Sequence, residues 1–112
     1  MNYYSLAGEP AESETRMEKK MVVVTTDKDC RGVFMGELLR YDEDKQIAVL
    51  KDAQMAVHWS QATKGVLGLA AHGPQKGSRI TPQIPQIEVN KVASVMSATD
   101  KAVTAWRTEL WD

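Results

Sequence analysis

The chain has 112 residues, 43% hydrophobic and 26% charged, the proportions of one globular domain with a modest core. Its 14 basic and 15 acidic residues leave a net charge of −1, which argues against general nucleic-acid binding through many phosphate contacts. No apolar run approaches the roughly 20 residues that span a bilayer, no basic-then-apolar leader opens the chain, and the single cysteine, Cys30, has no internal disulfide partner, so a reduced cytosolic protein is expected.

Residues 1–20 are polar and aperiodic and read as a flexible N-terminal arm, within which Tyr3, Tyr4 and Leu6 are candidates for docking on a neighbouring subunit or partner. Residues 21–112 read as a single α+β domain, a small antiparallel meander of about five strands with one short internal helix and a C-terminal helix. Met21 to Thr26 is β-branched and apolar and forms the first predicted strand. Arg31 to Tyr41 is the second, with Val33 and Met35 on one face, Phe34 and Leu38 on the other, and Gly36 marking a bulge or close backbone approach. Asp42-Glu43-Asp44 reads as a solvated hairpin loop rather than a metal site. Gln46 to Lys51 and Gln54 to Trp59 are read as two strands with a turn at Asp52-Ala53, Met55, Val57 and Trp59 opposing Ala56 and His58.

The period then changes. Thr63 has the side chain of an N-cap, Val66, Leu69 and Ala70 recur at helical spacing, and Gly73-Pro74 ends the helix. Pro82 and Pro85 exclude a central strand between residues 75 and 87, where Ile84 and Ile87 are expected to pin an irregular segment to the core. Glu88 to Met96 is the last predicted strand. Ser97 or Thr99 caps a terminal helix whose Val103, Trp106 and Leu110 form an amphipathic stripe.

The candidate site is the stretch from Trp59 to Ile80. It holds four of the seven glycines, and no carboxylate occurs from Ala53 to Ile87, where Lys64, Lys76 and Arg79 are the charged residues. Free amides at a helix start attract anions. Thr63, Lys64 and Gly65 would stand at that end, His72, Lys76, Ser78 and Arg79 would supply further donors, and Trp59 would stack on a flat ring. This suits a phosphate-bearing nucleotide or similar anion, although P-loop spacing is absent. The same residues also fit structural roles, with Trp59 in the core, Gly73 as a cap and the cations solvated. Two histidines without cysteine or carboxylate companions at ligand spacing do not make a metal site, and no nucleophile–base–orienter set is visible. The chain is therefore expected to be neither an enzyme nor dependent on a cofactor.

Trp59, Thr63-Lys64-Gly65-Val66, Leu69-Ala70 and Gly73-Pro74, preceded by Val49-Leu50-Lys51-Asp52-Ala53, resemble a family of small bacteriophage and prophage proteins of unknown function over about residues 21–96. The resemblance implies a phage accessory protein acting in the host bacterial cytoplasm; it carries over no catalytic residues. Two expectations follow. One is a sponge that sequesters a nucleotide-derived host antiviral signal, working as a homo-oligomer because so short a chain offers little concavity by itself. The other is a protein–protein module, a virion component or an inhibitor of a host defence protein, using Tyr3, Tyr4, Trp106 and Trp111.

Overall fold

The computed structural model describes residues 19–28 and 32–111; Tyr3, Tyr4, Leu6 and Cys30 lie outside the described residues. The architecture is α+β. Among the described residues β1 (Met21–Thr26), β2 (Val33–Asp42), β3 (Ile47–His58), β4 (Arg79–Ile80), β5 (Ile84–Val89) and β6 (Val92–Ser97) form one antiparallel sheet in the order β4-β3-β2-β1-β6, with β5 also on β3. Among the described residues it carries one short internal α-helix and one C-terminal α-helix.

Strand β1 (Met21–Thr26) is continuous in apolar character because both its faces are buried. Val22 and Val24 point into one cluster with Ala48, Leu50, Ala53, Val89 and Val92. Val23 points the other way, into a cluster with Val33, Met35, Leu69, Ile80 and Trp106. Strand β2 (Val33–Asp42) alternates as its sequence predicts, Val33 and Met35 toward the helices, Phe34 and Leu38 toward the other cluster. At its end the Asp42 carboxylate accepts from the amides of Asp44 and Lys45 at 3.0 and 3.2 Å, which shapes an exposed hairpin loop.

The third and fourth predicted strands are one, β3 (Ile47–His58). The expected turn at Asp52-Ala53 is a bulge: Met35 pairs with Gln54 and Glu37 with Lys51, so two residues of β3 oppose Gly36. Asp52 takes the left-handed conformation, φ 51°. A Cβ on Gly36 would lie 2.9 Å from the Lys51 carbonyl oxygen, so the close approach anticipated at that glycine is real. The extra residue bends β3 instead of ending it. Beyond His58 the alternation lapses, and Trp59 packs against the same cluster as Ala56, not the opposite face.

After the site segment, β4 (Arg79–Ile80) pairs with the end of β3, and β5 (Ile84–Val89) with its middle. Pro85 is tolerated because, among the described residues, β5 bonds only on its β3 side. Ile84 is 45% exposed and does not pin the segment; Ile87 does, against the β1–β3 interior. The single predicted strand from Glu88 to Met96 is a corner. The chain turns at Asn90-Lys91, with Lys91 at φ 56°, and β6 (Val92–Ser97) joins β1 instead of β3. The Val92 amide donates to the Gln46 carbonyl at 2.9 Å and the Asp27 amide to the Lys91 carbonyl at 3.0 Å. By passing from one side of the β3-β2-β1 ribbon to the other, the β5–β6 corner curls the sheet around the Val22–Leu50–Val92 cluster.

Helix α1 (Gly65–Ala71) and helix α2 (Asp100–Thr108) cover the outer face. Thr99 caps α2, its hydroxyl accepting from the Ala102 amide at 3.0 Å, and Asp100 sits in the first turn. Trp106 is fully buried and Val103 packs beside it, but α2 ends at Thr108, so Leu110 falls off the stripe and is 45% exposed. Trp106 is thereby a core residue and not the surface contact expected of it.

Candidate functional site

The Trp59–Ile80 segment is a loop knitted by its own polar side chains. A short 3-10 turn, Gln61–Thr63, precedes α1, and the residue at the helix start is Lys64, not Thr63. Thr63 is fully buried, and its hydroxyl accepts from the Gln75 amide at 3.0 Å, twelve residues downstream. The Thr63 carbonyl lies 2.9 Å from His72 Nε2, which donates to it in the Nε2-protonated tautomer. Ser78 is buried as well: its hydroxyl donates to the Gln75 carbonyl at 2.7 Å and accepts from the Ser60 amide at 3.2 Å. Three predicted ligand contacts, Thr63, His72 and Ser78, are thus engaged in holding the loop closed.

Glycine is required here for two different reasons. A Cβ on Gly68 would sit 1.7 Å from the Thr63 carbonyl oxygen, so α1 can lie on the 3-10 turn only if that position is bare. Gly73 takes φ 84° after the helix, its amide donating to the Gly68 carbonyl, and a Cβ there would strike Ala105 of α2 at 2.5 Å.

The predicted cations do not share one role. Arg79 lies over the Trp111 ring, 5.7 Å from its centroid, and Trp111 is tied by its amide to the Ile80 carbonyl. Lys76 is exposed on the turn before Ser78. Lys64 is exposed with φ 70°, and Gly65 follows at φ 79°.

Of the eight predicted site residues, Trp59 lines a concavity. A groove of about 500 Å³ opens on the outer face of the sheet. Thr25 and Thr26 of β1 and Ser94 and Met96 of β6 form its floor; Gly32 and Val33 close one end; Trp59 and α1 residues Val66 and Leu67 wall it. Every one of these is uncharged. Thr25 and Ser94 bond to each other through their hydroxyls, and the Thr26 hydroxyl accepts from the Gly32 amide at 2.6 Å. Trp59 is half-buried, while Leu67 is 73% exposed, off the Leu69–Ala70 stripe.

Residues 19–106 match the model of a family described as Domain of unknown function (DUF6948). The chain belongs to this family. No curated protein and no solved structure matches it. The DUF6948 match takes in the whole groove and the polar loop beneath it, together with the Thr99 cap and Trp106.

Among the described residues of the DUF6948 domain, no cluster of three His, Cys, Asp or Glu is arranged to hold a metal, and no helix is long and apolar enough to cross a membrane. Away from the groove, Gln54 and Arg107 form a second polar cluster. The Gln54 amide donates to the Thr81 and Trp106 carbonyls at 3.0 and 2.9 Å, and its oxygen accepts from Arg107, which also donates to the Asp52 carbonyl at 2.8 Å. Burial lowers the Arg107 pKa, partly offset by the Asp52 charge. This cluster fastens α2 to the β3 bulge, and neither Gln54 nor Arg107 lines the groove. The floor of the groove was missed in the sequence because it comes from strands about 70 residues apart, Thr25 and Ser94 being one pair across it. The one local signal was Leu67, a large apolar side chain outside the helical stripe.

Proposed function

We propose that this protein is a non-enzymatic binding module whose Trp59 groove takes a small ligand with a flat ring and an anionic tail, a nucleotide-derived molecule. The observation that carries the reading is the lining: an indole and apolar side chains over a floor of hydroxyls, all uncharged, in a chain with no carboxylate from Ala53 to Ile87. The groove's volume of about 500 Å³ falls within the roughly 300–1,000 Å³ range of small-molecule sites. The ring stacks on Trp59, its edge meets Thr25, Thr26 and Ser94, and Lys64, of the three predicted cations the nearest in sequence to a wall residue, meets the phosphate. Lys76 and Arg79 drop out of the ligand set, Arg79 because it is occupied by Trp111. In a phage setting, which the resemblance above suggests, such a module sequesters a host antiviral signalling nucleotide.

Calorimetric titration against cyclic nucleotides and ADP-ribose derivatives tests the reading. One of these ligands saturates the wild type, Trp59→Ala weakens it about 10- to 100-fold, equivalent to about 1–3 kcal/mol for a stacked base, and Lys64→Ala weakens it more at low than at high salt. Failure of every member of the panel to bind the wild type sinks it. The exposure of Leu67, at 73%, favours a second reading, a protein partner seated over the groove. Under that reading Leu67→Glu abolishes capture of one host protein while leaving the fold intact by circular dichroism.

A further inference from the structure

Among the described residues the sheet has three edge strands, and two of them are protected. Strand β5 carries Pro85 and Glu88, both exposed, a proline and a charge of the kind that blunts a sheet edge. Strand β4 is two residues long, and its Ile80 carbonyl already accepts from the Trp111 amide at 2.9 Å. The third edge, β6, runs Val-Ala-Ser-Val-Met-Ser with no proline and no charge, and among the described residues it is bonded on its β1 side alone. Natural sheets seldom leave such an edge bare, because it is a template for another strand.

The direction of its free groups follows from the register. The Ala98 amide donates to the Met21 carbonyl, and the pairs Ser97–Val22, Met96–Val23, Val95–Val24 and Ser94–Thr25 follow in step. Antiparallel ladders alternate bonded and non-bonded pairs. Met96 and Ser94 therefore bond β1, and the amides and carbonyls of Val95 and Ser97 point away from it. Ala93 is the residue that the bulge between Thr25 and Thr26 leaves without a partner on β1.

We propose that this edge is occupied by β6 of a second copy of the chain, antiparallel about a two-fold axis at Val95. The outward groups, both of Val95 and Ser97 together with the Ala93 carbonyl that stands opposite the inward Ser94 amide, are self-complementary in that arrangement: Val95 pairs with Val95 of the partner subunit, and the Ser97 amide donates to the carbonyl of Ala93 of the partner subunit. The consequence for the groove is direct. Ser94 and Met96 form part of its floor, and across the axis they stand beside Met96 and Ser94 of the partner subunit. The second copy extends the floor of an open groove, so each site is completed by its neighbour. This purpose rests on the groove reading above; the pairing itself uses no ligand.

Two ligand-free measurements on the full chain test it. Sedimentation velocity gives a dimer of the 12.5 kDa chain at micromolar concentration. Ala93→Lys with Ser97→Lys, two exposed positions that face each other across the axis, gives a monomer, whereas Ala93→Glu with Ser97→Lys restores the dimer through opposite charges. Independently of any variant, hydrogen exchange shows the Val95 amide protected at high protein concentration and released on dilution, while the Met96 amide, bonded to β1, stays protected. A monomeric wild type, a dimer indifferent to the double-lysine change, or a Val95 amide whose exchange ignores concentration overturns the proposal. A dimer that binds no nucleotide sinks the groove reading alone; a monomer that binds one sinks this inference alone.

Discussion

Strand β1 and helix α1 are of nearly equal length, six and seven residues, and both lie against the Trp106 cluster, yet they are stabilised in different ways. In β1, Val22, Val23 and Val24 are fully buried, two facing one cluster and one the other, and the strand is bonded on both sides by β2 and β6. Its stability comes from apolar burial, about 1.5–3 kcal/mol for each such side chain. Helix α1 is too short to persist by itself, and its start has no side-chain cap. Its last four carbonyls are satisfied from outside its own ladder or at its frayed end. Gly68 accepts from the amides of His72 and Gly73, Leu69 from the Trp106 indole at 3.0 Å, Ala70 from the Thr99 amide at 3.0 Å and Ala71 from the Thr99 hydroxyl at 2.7 Å. One region is held by area, the other by individual bonds. In the second, a polar side chain that looks available to a ligand is already committed.

The largest test of this contrast is Trp106→Ala, because the indole serves both regions. It is fully buried in the helix-side cluster and it donates to Leu69 of α1. The expected loss is about 3–5 kcal/mol, read by denaturant unfolding, with a shift of roughly 10–30 °C in the thermal midpoint. A loss under about 1 kcal/mol would mean that α1 and the sheet do not depend on each other through this residue.

Next in size is Thr63→Val, which keeps the shape and removes the hydroxyl. The Gln75 amide then loses its partner in a buried setting, at a cost of about 1–3 kcal/mol. The two-region picture makes a sharper claim about location. Amide exchange accelerates in residues 61–78 and stays unchanged in β1 and β2. Uniform acceleration across the strands would show one cooperative unit and remove the distinction drawn here.

The same contrast explains what was legible in the sequence. Burial leaves a pattern, and the pattern was readable: β1 within its bounds, the two faces of β2, a bulge or close approach at Gly36, a cap at Ser97 or Thr99, of which Thr99 serves, and the Gly73 helix end. Long-range pairing leaves none. Asp52-Ala53 looked like a turn because aspartate favours turns, but its left-handed backbone absorbs a bulge opposite Gly36. Glu88 to Met96 looked like one strand because the valines on either side outweighed the turn signal of a single asparagine at Asn90-Lys91, where the chain leaves β3 for β1. Thr63 looked like a cap because it precedes a helix; only the fold brings Gln75 back to it. The groove was legible in Trp59 alone. Lys64, Lys76 and Arg79 are neighbours in composition, and composition does not say which of them meets a cavity.

The smallest expected effect concerns the C-terminal end, where neither area nor buried bonds dominate. Arg79 sits on the Trp111 ring at 5.7 Å, and both residues are exposed. An exposed cation–π pair contributes roughly 0.5–1 kcal/mol, so Arg79→Ala lowers stability by no more than that, and Trp111→Ala by a similar amount plus the little apolar area it covers. The double variant distinguishes coupling from coincidence: if the pair is real, its loss falls short of the sum of the singles by about the cation–π contribution. Arg79→Ala should leave nucleotide titrations unchanged, because its guanidinium serves the C-terminal segment and not the groove. An Arg79→Ala variant that loses ligand while retaining its fold would return Arg79 to the binding set and move the site from the Trp59 groove toward the β4 edge.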